Sequence, residues 1–151
     1  MSTTKTVEFV NLAKLGLGLE RAVALVTARH YAQGQRVVVL AADSRQAEAL
    51  DNELWSFRPD SFLPHALAGA ADQAQEPVLI ATEPANPNRA EVLVMAQALE
   101  EPPLEEFGHL VEFVPPAAGP ELEASRRRYR RLKERGGVRL LHTTRLEMPA
   151  G

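Results

Sequence analysis

The 151-residue chain has no cysteine. That excludes disulfides, thiolate zinc sites and cysteine nucleophiles together, and it fits a reducing compartment. No apolar run approaches the roughly 20 residues needed to span a bilayer. Met1 to Val10 lack the basic start and long apolar stretch of a secretory signal, so a cytoplasmic location is the expectation. The phosphate-cradling pattern ending Gly-Lys-Ser/Thr is missing, which leaves no lysine to reach a β- or γ-phosphate. No Gly-x-Ser-x-Gly elbow presents a serine nucleophile. His30, His65, His109 and His142 are scattered, and none has a partner at the spacing of a helical metal motif. Each reads as a surface or packing residue. The pairs Glu100-Glu101 and Glu105-Glu106 stand beside prolines in turn-like segments, where carboxylates are simply solvated. Gly16-Leu17-Gly18 resembles the start of a dinucleotide loop, but Arg21 occupies the place of the third glycine, which lets helix and strand pack closely. The expectation is therefore no catalysis, no cofactor, no metal and no functional nucleotide-binding loop.

What is present describes a folded α/β chain. Hydrophobic residues make up 45% and charged residues 25%, the balance of a globule with one core, and 1–151 reads as one domain. Val7 to Leu12 reads as a strand. From Glu20 to Gln33, Ala22, Val23, Val26, Ala28 and Tyr31 recur at helical spacing before Gly34. Arg36 to Ala42 is a nearly continuous β-branched run, suited to a strand covered on both faces. Asp43 or Ser44 caps a helix to about Leu54, with Ala47, Leu50, Leu54 and Trp55 assigned to its inner side. A proline-containing loop follows. Pro77 to Thr82 reads as a strand, Glu91 to Ala98 as a strand or helix, and His109 to Val114 as a strand. Pro120, Glu121 and Glu123 open a helix that Gly136 stops, and Val138 to Thr144 is a last strand. This alternation predicts an α/β fold of three layers with a mostly parallel sheet.

Net charge is only −3, yet eight Arg and one Lys lie between Arg126 and Arg145 against the single acid Glu134. Such a block suggests an anionic partner, or else a solvated basic face. On the helix from Pro120, residues Arg126, Tyr129, Arg130 and Lys133 share one face, which Leu122 continues toward the helix start. Arginines offer planar, bidentate donors to carboxylate or phosphate, and the tyrosine ring adds apolar surface. This face suits an acidic peptide with an apolar end, or a nucleic-acid strand with a stacked base. The alternative is that Tyr129 packs into the core and the arginines are solvated.

Several ordered blocks resemble the chi subunit of the bacterial DNA polymerase III holoenzyme, a clamp-loader accessory protein. They are Gly34-Gln35-Arg36-Val37, Leu50-Asp51-Asn52-Glu53-Leu54-Trp55, Ser61-Phe62-Leu63-Pro64-His65-Ala66-Leu67-Ala68-Gly69 and Pro77-Val78-Leu79-Ile80. Val111-Glu112-Phe113-Val114-Pro115, Arg126-Arg127-Arg128-Tyr129-Arg130 and Gly136 follow. The likeness runs from about Arg29 to Thr144. It implies a single Rossmann-like domain without nucleotide chemistry. It also implies binding of the acidic C-terminal tail of single-stranded DNA-binding protein, which ends in an apolar aromatic residue with a free carboxylate. Arg126, Tyr129, Arg130 and Val114 match the family's tail site, and Leu122 and Lys133 extend it. A second family surface binds the psi subunit and bridges to the clamp loader. It involves the aromatic matching Phe62, with Trp55 in the preceding block; the alternative for Phe62 is a plain core residue. The first 28 residues match poorly, Gly137 replaces a larger apolar residue, and the arginines are denser than usual. Their density leaves direct contact with single-stranded nucleic acid as the alternative function.

Overall fold

The computed structural model describes residues 4–57 and 63–146. In order, the chain forms β1 (Lys5–Asn11), α1 (Leu12–Leu15), α2 (Leu19–Ala32), β2 (Val37–Leu40), α3 (Ser44–Ser56) and β3 (Ala66–Leu67). After a 3₁₀ turn at Gln73–Gln75 come β4 (Val78–Ala81), β5 (Val92–Met95), β6 (His109–Val114), α4 (Pro120–Arg135) and β7 (Val138–Thr143). The described strands form one sheet in the order β3-β4-β2-β5-β6-β1-β7. Every pairing is parallel, so the sheet is wholly rather than mostly parallel.

Parallel strands need crossovers that return to the same end of the sheet. Helices supply those from β1 to β2, β2 to β3 and β6 to β7, whereas loops join β4 to β5 and β5 to β6. Strands β2, β4 and β5 are buried at every position, which is why they read as unbroken aliphatic runs. Their alternate side chains feed two separate cores. Val37, Val39 and Val94 pack with α2 and α3 through Val23, Val26, Leu50 and Leu54. Val38, Leu40 and Leu93 pack on the other side with Phe107 and with Leu132 of α4. Helix, sheet, helix is the three-layer, Rossmann-like arrangement.

Local chemistry sets the helix ends. Asp43, not Ser44, caps α3, its carboxylate accepting from the Gln46 amide at 2.9 Å. Pro120 opens α4 with Glu121 and Glu123 in the first turn, and the Gly136 amide closes on the Leu132 carbonyl at 3.1 Å. Two expectations fail here. Leu12 belongs to a four-residue helix rather than to the first strand, because the Asn11 side chain accepts from the Lys14 amide and turns the chain. Trp55 is 52% exposed, on the outer side of α3 and not the inner. The step from Leu54 to Trp55 rotates about 100° around the helix, enough to carry the ring out of the core.

Candidate functional site

Helix α4 divides its basic side chains between different surroundings. One side borders a cavity of about 400 Å³ beneath the ends of β1, β6 and β7. Tyr129 lies over Phe9 and His142. Its ring meets Phe9 edge-on at 5.4 Å between centroids and His142 at 4.9 Å. Phe9 and His142 are register partners across β1 and β7, so sheet pairing sets that floor. Val114, at the end of β6, and Leu122, in the first turns of α4, supply apolar wall, and Arg126 and Arg130 stand beside them. Tyr129 thus does both things the spacing allowed: it packs against the core and it lines the cavity.

The two guanidiniums at this cavity are weakly engaged. Arg126 reaches Glu123 at 3.1 Å, with both side chains more than half exposed. Such surface pairs contribute less than about 1 kcal/mol, so a ligand carboxylate exchanges easily with Glu123. Arg130 has no acidic partner among the described residues. Lys133, although on the same helical face, does not line the cavity. It is exposed one turn beyond Tyr129.

The other side of α4 is a buried ion network that sequence reasoning missed. Arg128 donates to both oxygens of Glu112, at 2.9 and 2.7 Å, and Ser125 donates to the same carboxylate at 2.7 Å. Arg128 also reaches Glu100 at 2.9 Å, as does Arg131. The bond to Glu112 holds the Arg128 pKa above its ordinary value against the opposing effect of burial. The hydrogen bonds from Arg131 and Arg128 hold Glu100 below the usual carboxylate range. The arginine block is therefore not one solvated face. Arg127, Arg130 and Arg131, with Glu134, outline a shallow open patch between the two sides.

The remaining candidates lie elsewhere. Gly16, at φ 67°, ends α1, and Gly18 precedes α2. A Cβ at either position would meet nothing within 4 Å, so neither glycine answers to a close packing contact. Phe62 falls outside the described residues. Trp55 lies far along the chain from α4, its ring 4.5 Å from that of His65. The histidines are less scattered in space than in sequence. His30 and His109 meet edge-on at 4.6 Å between centroids beside the buried Glu8. Burial dominates His30 and pushes its pKa down to about 4. For Glu8 burial acts upward, but hydrogen bonds from His109, Arg29 and Thr143 together overcome it and hold the pKa at about 2.

The family described as "DNA polymerase III chi subunit, HolC" matches residues 5–138. The chain belongs to this family. A DNA polymerase III subunit chi from Escherichia coli (strain K12) is 32% identical over 98 residues, 64% of this chain and 67% of its own length. One from Pseudomonas aeruginosa is 33% identical over 106 residues, 69% of this chain and 71% of its own. One from Haemophilus influenzae is 28% identical over 134 residues, 87% and 92% of the two chains. A chi subunit has an accessory role in replication. The match begins at residue 5, well before Arg29 where the blocks first suggested it, and so takes in β1 and its Phe9. Val114, Leu122, Arg126, Tyr129 and Arg130 also fall inside it, whereas His142 lies beyond its end. No local motif could have singled out Phe9 or His142, because only strand register brings them under Tyr129.

Proposed function

We propose that this chi-family chain captures the acidic C-terminal tail of single-stranded DNA-binding protein in the α4 cavity. It thereby links that protein to the clamp loader, without catalysing a reaction. The observation that carries this reading is the conjunction of an aromatic floor with two loosely held guanidiniums. The terminal aromatic ring of the tail enters against Tyr129, Val114 and Leu122, and its free carboxylate meets Arg126 and Arg130. Charge-assisted, planar pairing of this kind is what arginine supplies. Lys133, beyond the cavity, meets acidic residues further back along the tail. The exposed Trp55, with Phe62 in the segment that follows, serves the psi or clamp-loader side.

The shallow patch at Arg127, Arg130 and Arg131 favours a second reading, direct contact with a single-stranded nucleic-acid backbone. Glu134 within it and the engagement of Arg131 by Glu100 reduce its free charge. Calorimetric titration with an acidic tail peptide, with and without its terminal aromatic residue, separates the two. Arg126→Ala weakens binding by about 1.5–3 kcal/mol, the range for a charge-assisted hydrogen bond. Arg127→Ala, about 100° around the helix, leaves it within roughly twofold. Equal losses from both, with no dependence on the terminal aromatic, reject the pocket and leave a basic patch whose binding falls steeply with salt.

A further inference from the structure

On the sheet face opposite the α4 cavity, three elements converge on one buried carboxylate. Glu8 in β1 accepts from His109 Nε2 at 2.8 Å and from Arg29 Nη2 at 2.6 Å, both at Oε1. The hydroxyl of Thr143 in β7 donates to its other oxygen, Oε2. His30, in the last turn of α2, has Nδ1 2.7 Å from Oε1 of Gln35. An amide oxygen only accepts, so Nδ1 carries the proton and Nε2 keeps its lone pair. That lone pair receives Arg29 Nη2 at 3.2 Å. One guanidinium nitrogen is therefore bracketed by a carboxylate and an imidazole, with a second imidazole on the same carboxylate oxygen. Donor atoms of Glu8, His30 and His109 all lie within 4.8 Å of one another.

We propose that Glu8, His30 and His109 form a site for a divalent transition-metal ion of the zinc class, and that Arg29 occupies the cation position in the metal-free protein. Two imidazoles and one carboxylate suit zinc, cobalt or nickel; magnesium and calcium prefer oxygen-only sets. Gln35 supplies the outer hydrogen bond that fixes the His30 tautomer and aims Nε2 inward. Thr143 anchors Oε2 and leaves Oε1 to face the ion. Zinc ligands at about 2.0–2.1 Å from the metal stand roughly 3.3 Å apart in a tetrahedron, so the donors need only close in. His30 and Glu8 are held by Gln35 and Thr143, so the movement falls to His109 and Arg29. Both have the room: the Arg29 side chain is 31% exposed and that of His109 20%. The guanidinium swings into solvent as the ion enters, which keeps Glu8 charge-compensated in both states.

The test is titration of chelator-stripped protein with zinc by calorimetry and with cobalt by visible absorption, for wild type, Arg29→Ala, His109→Gln and Arg29→Ala combined with His30→Ala. One ion per chain in the wild type is expected. Arg29→Ala removes the competing cation and tightens binding at least tenfold, while loss of either histidine weakens it at least a hundredfold. Circular dichroism establishes that each variant is folded. If Arg29→Ala does not fold, wild type against His109→Gln gives the same decision. No binding by the wild type or Arg29→Ala overturns the proposal. So does binding that survives loss of either histidine unchanged, since the metal would then sit on surface groups.

Discussion

The buried pair of Arg128 and Glu112 is the sharpest place to test how α4 is held. Their side chains are 9% and 3% exposed, and two hydrogen bonds join them. Arg128→Met keeps most of the stem's packing but leaves the Glu112 carboxylate in the core with only Ser125 donating to it. Removing one member of a buried ion pair costs about 3–5 kcal/mol, because the remaining charge is desolvated and unpaired. Domains have about 5–15 kcal/mol of stability in total. At this chain length that loss lowers Tm by about 10–15 °C. Adding Glu112→Leu removes the stranded charge along with its partner. Well-packed apolar replacements of buried pairs are often neutral, so the double variant should be more stable than Arg128→Met alone. Urea unfolding at pH 7 followed by circular dichroism gives the stabilities of the wild type, Arg128→Met, Glu112→Leu and the double variant, and the double-mutant cycle isolates the coupling. A loss below about 1 kcal/mol for Arg128→Met, or additive losses in the double variant, would refute a buried, charge-compensated network.

Three further outcomes are expected. Tyr129→Phe should leave tail-peptide affinity within roughly twofold, and Tyr129→Ala should weaken it about tenfold or more, since the ring rather than the hydroxyl forms the cavity floor; calorimetry measures both. In chelator, stability should fall as pH drops from about 6.5 to about 4, the window of the lowered His30 pKa. Below 6.5 the unfolded chain binds a proton that the folded chain does not, a loss of at most about 3 kcal/mol, and His30→Gln should flatten the curve. Trp55→Ala should change stability by less than about 1 kcal/mol, as for an exposed side chain, and leave tail binding intact while weakening a psi-type partner; chemical denaturation and pull-down with that partner check it.

The strands and the long helix were legible because their physics is local. Unbroken β-branched runs announce strands buried on both faces, and the Pro120-to-Gly136 punctuation frames α4 within a residue. Helix α1 was not legible, since Leu12 continues an apolar pattern and only the Asn11 cap shows that the chain has turned. β3 escaped because two residues in a proline loop carry no period. Helical spacing grouped Arg126, Tyr129 and Arg130, and all three line the cavity. Lys133 shares their helical face without lining the cavity, which spacing along the helix could not distinguish. Arg128 read as one more solvated arginine because the acid that buries it is on a distant strand.

That acid and Glu8 show why such contacts are invisible locally. The tetrapeptide Val-Glu-Phe-Val occurs twice, as Val7-Glu8-Phe9-Val10 in β1 and Val111-Glu112-Phe113-Val114 in β6, and these strands are parallel neighbours. If identical residues were aligned, both glutamates would lie on one face of the sheet about 5 Å apart, two like charges in one core. The observed register is offset by one residue: Glu8 stands opposite Val111, and Phe9 opposite Glu112. Because side chains alternate with a period of two, this offset sends the carboxylates to opposite faces. Glu8 emerges beneath the end of α2 and meets Arg29, and Glu112 emerges beneath α4 and meets Arg128. The same offset turns Phe9 toward Tyr129 and Phe113 toward the α2 core. Two identical segments thus acquire different work from a single residue of slip, which places one carboxylate in the histidine cluster and the other under the helix that carries the cavity.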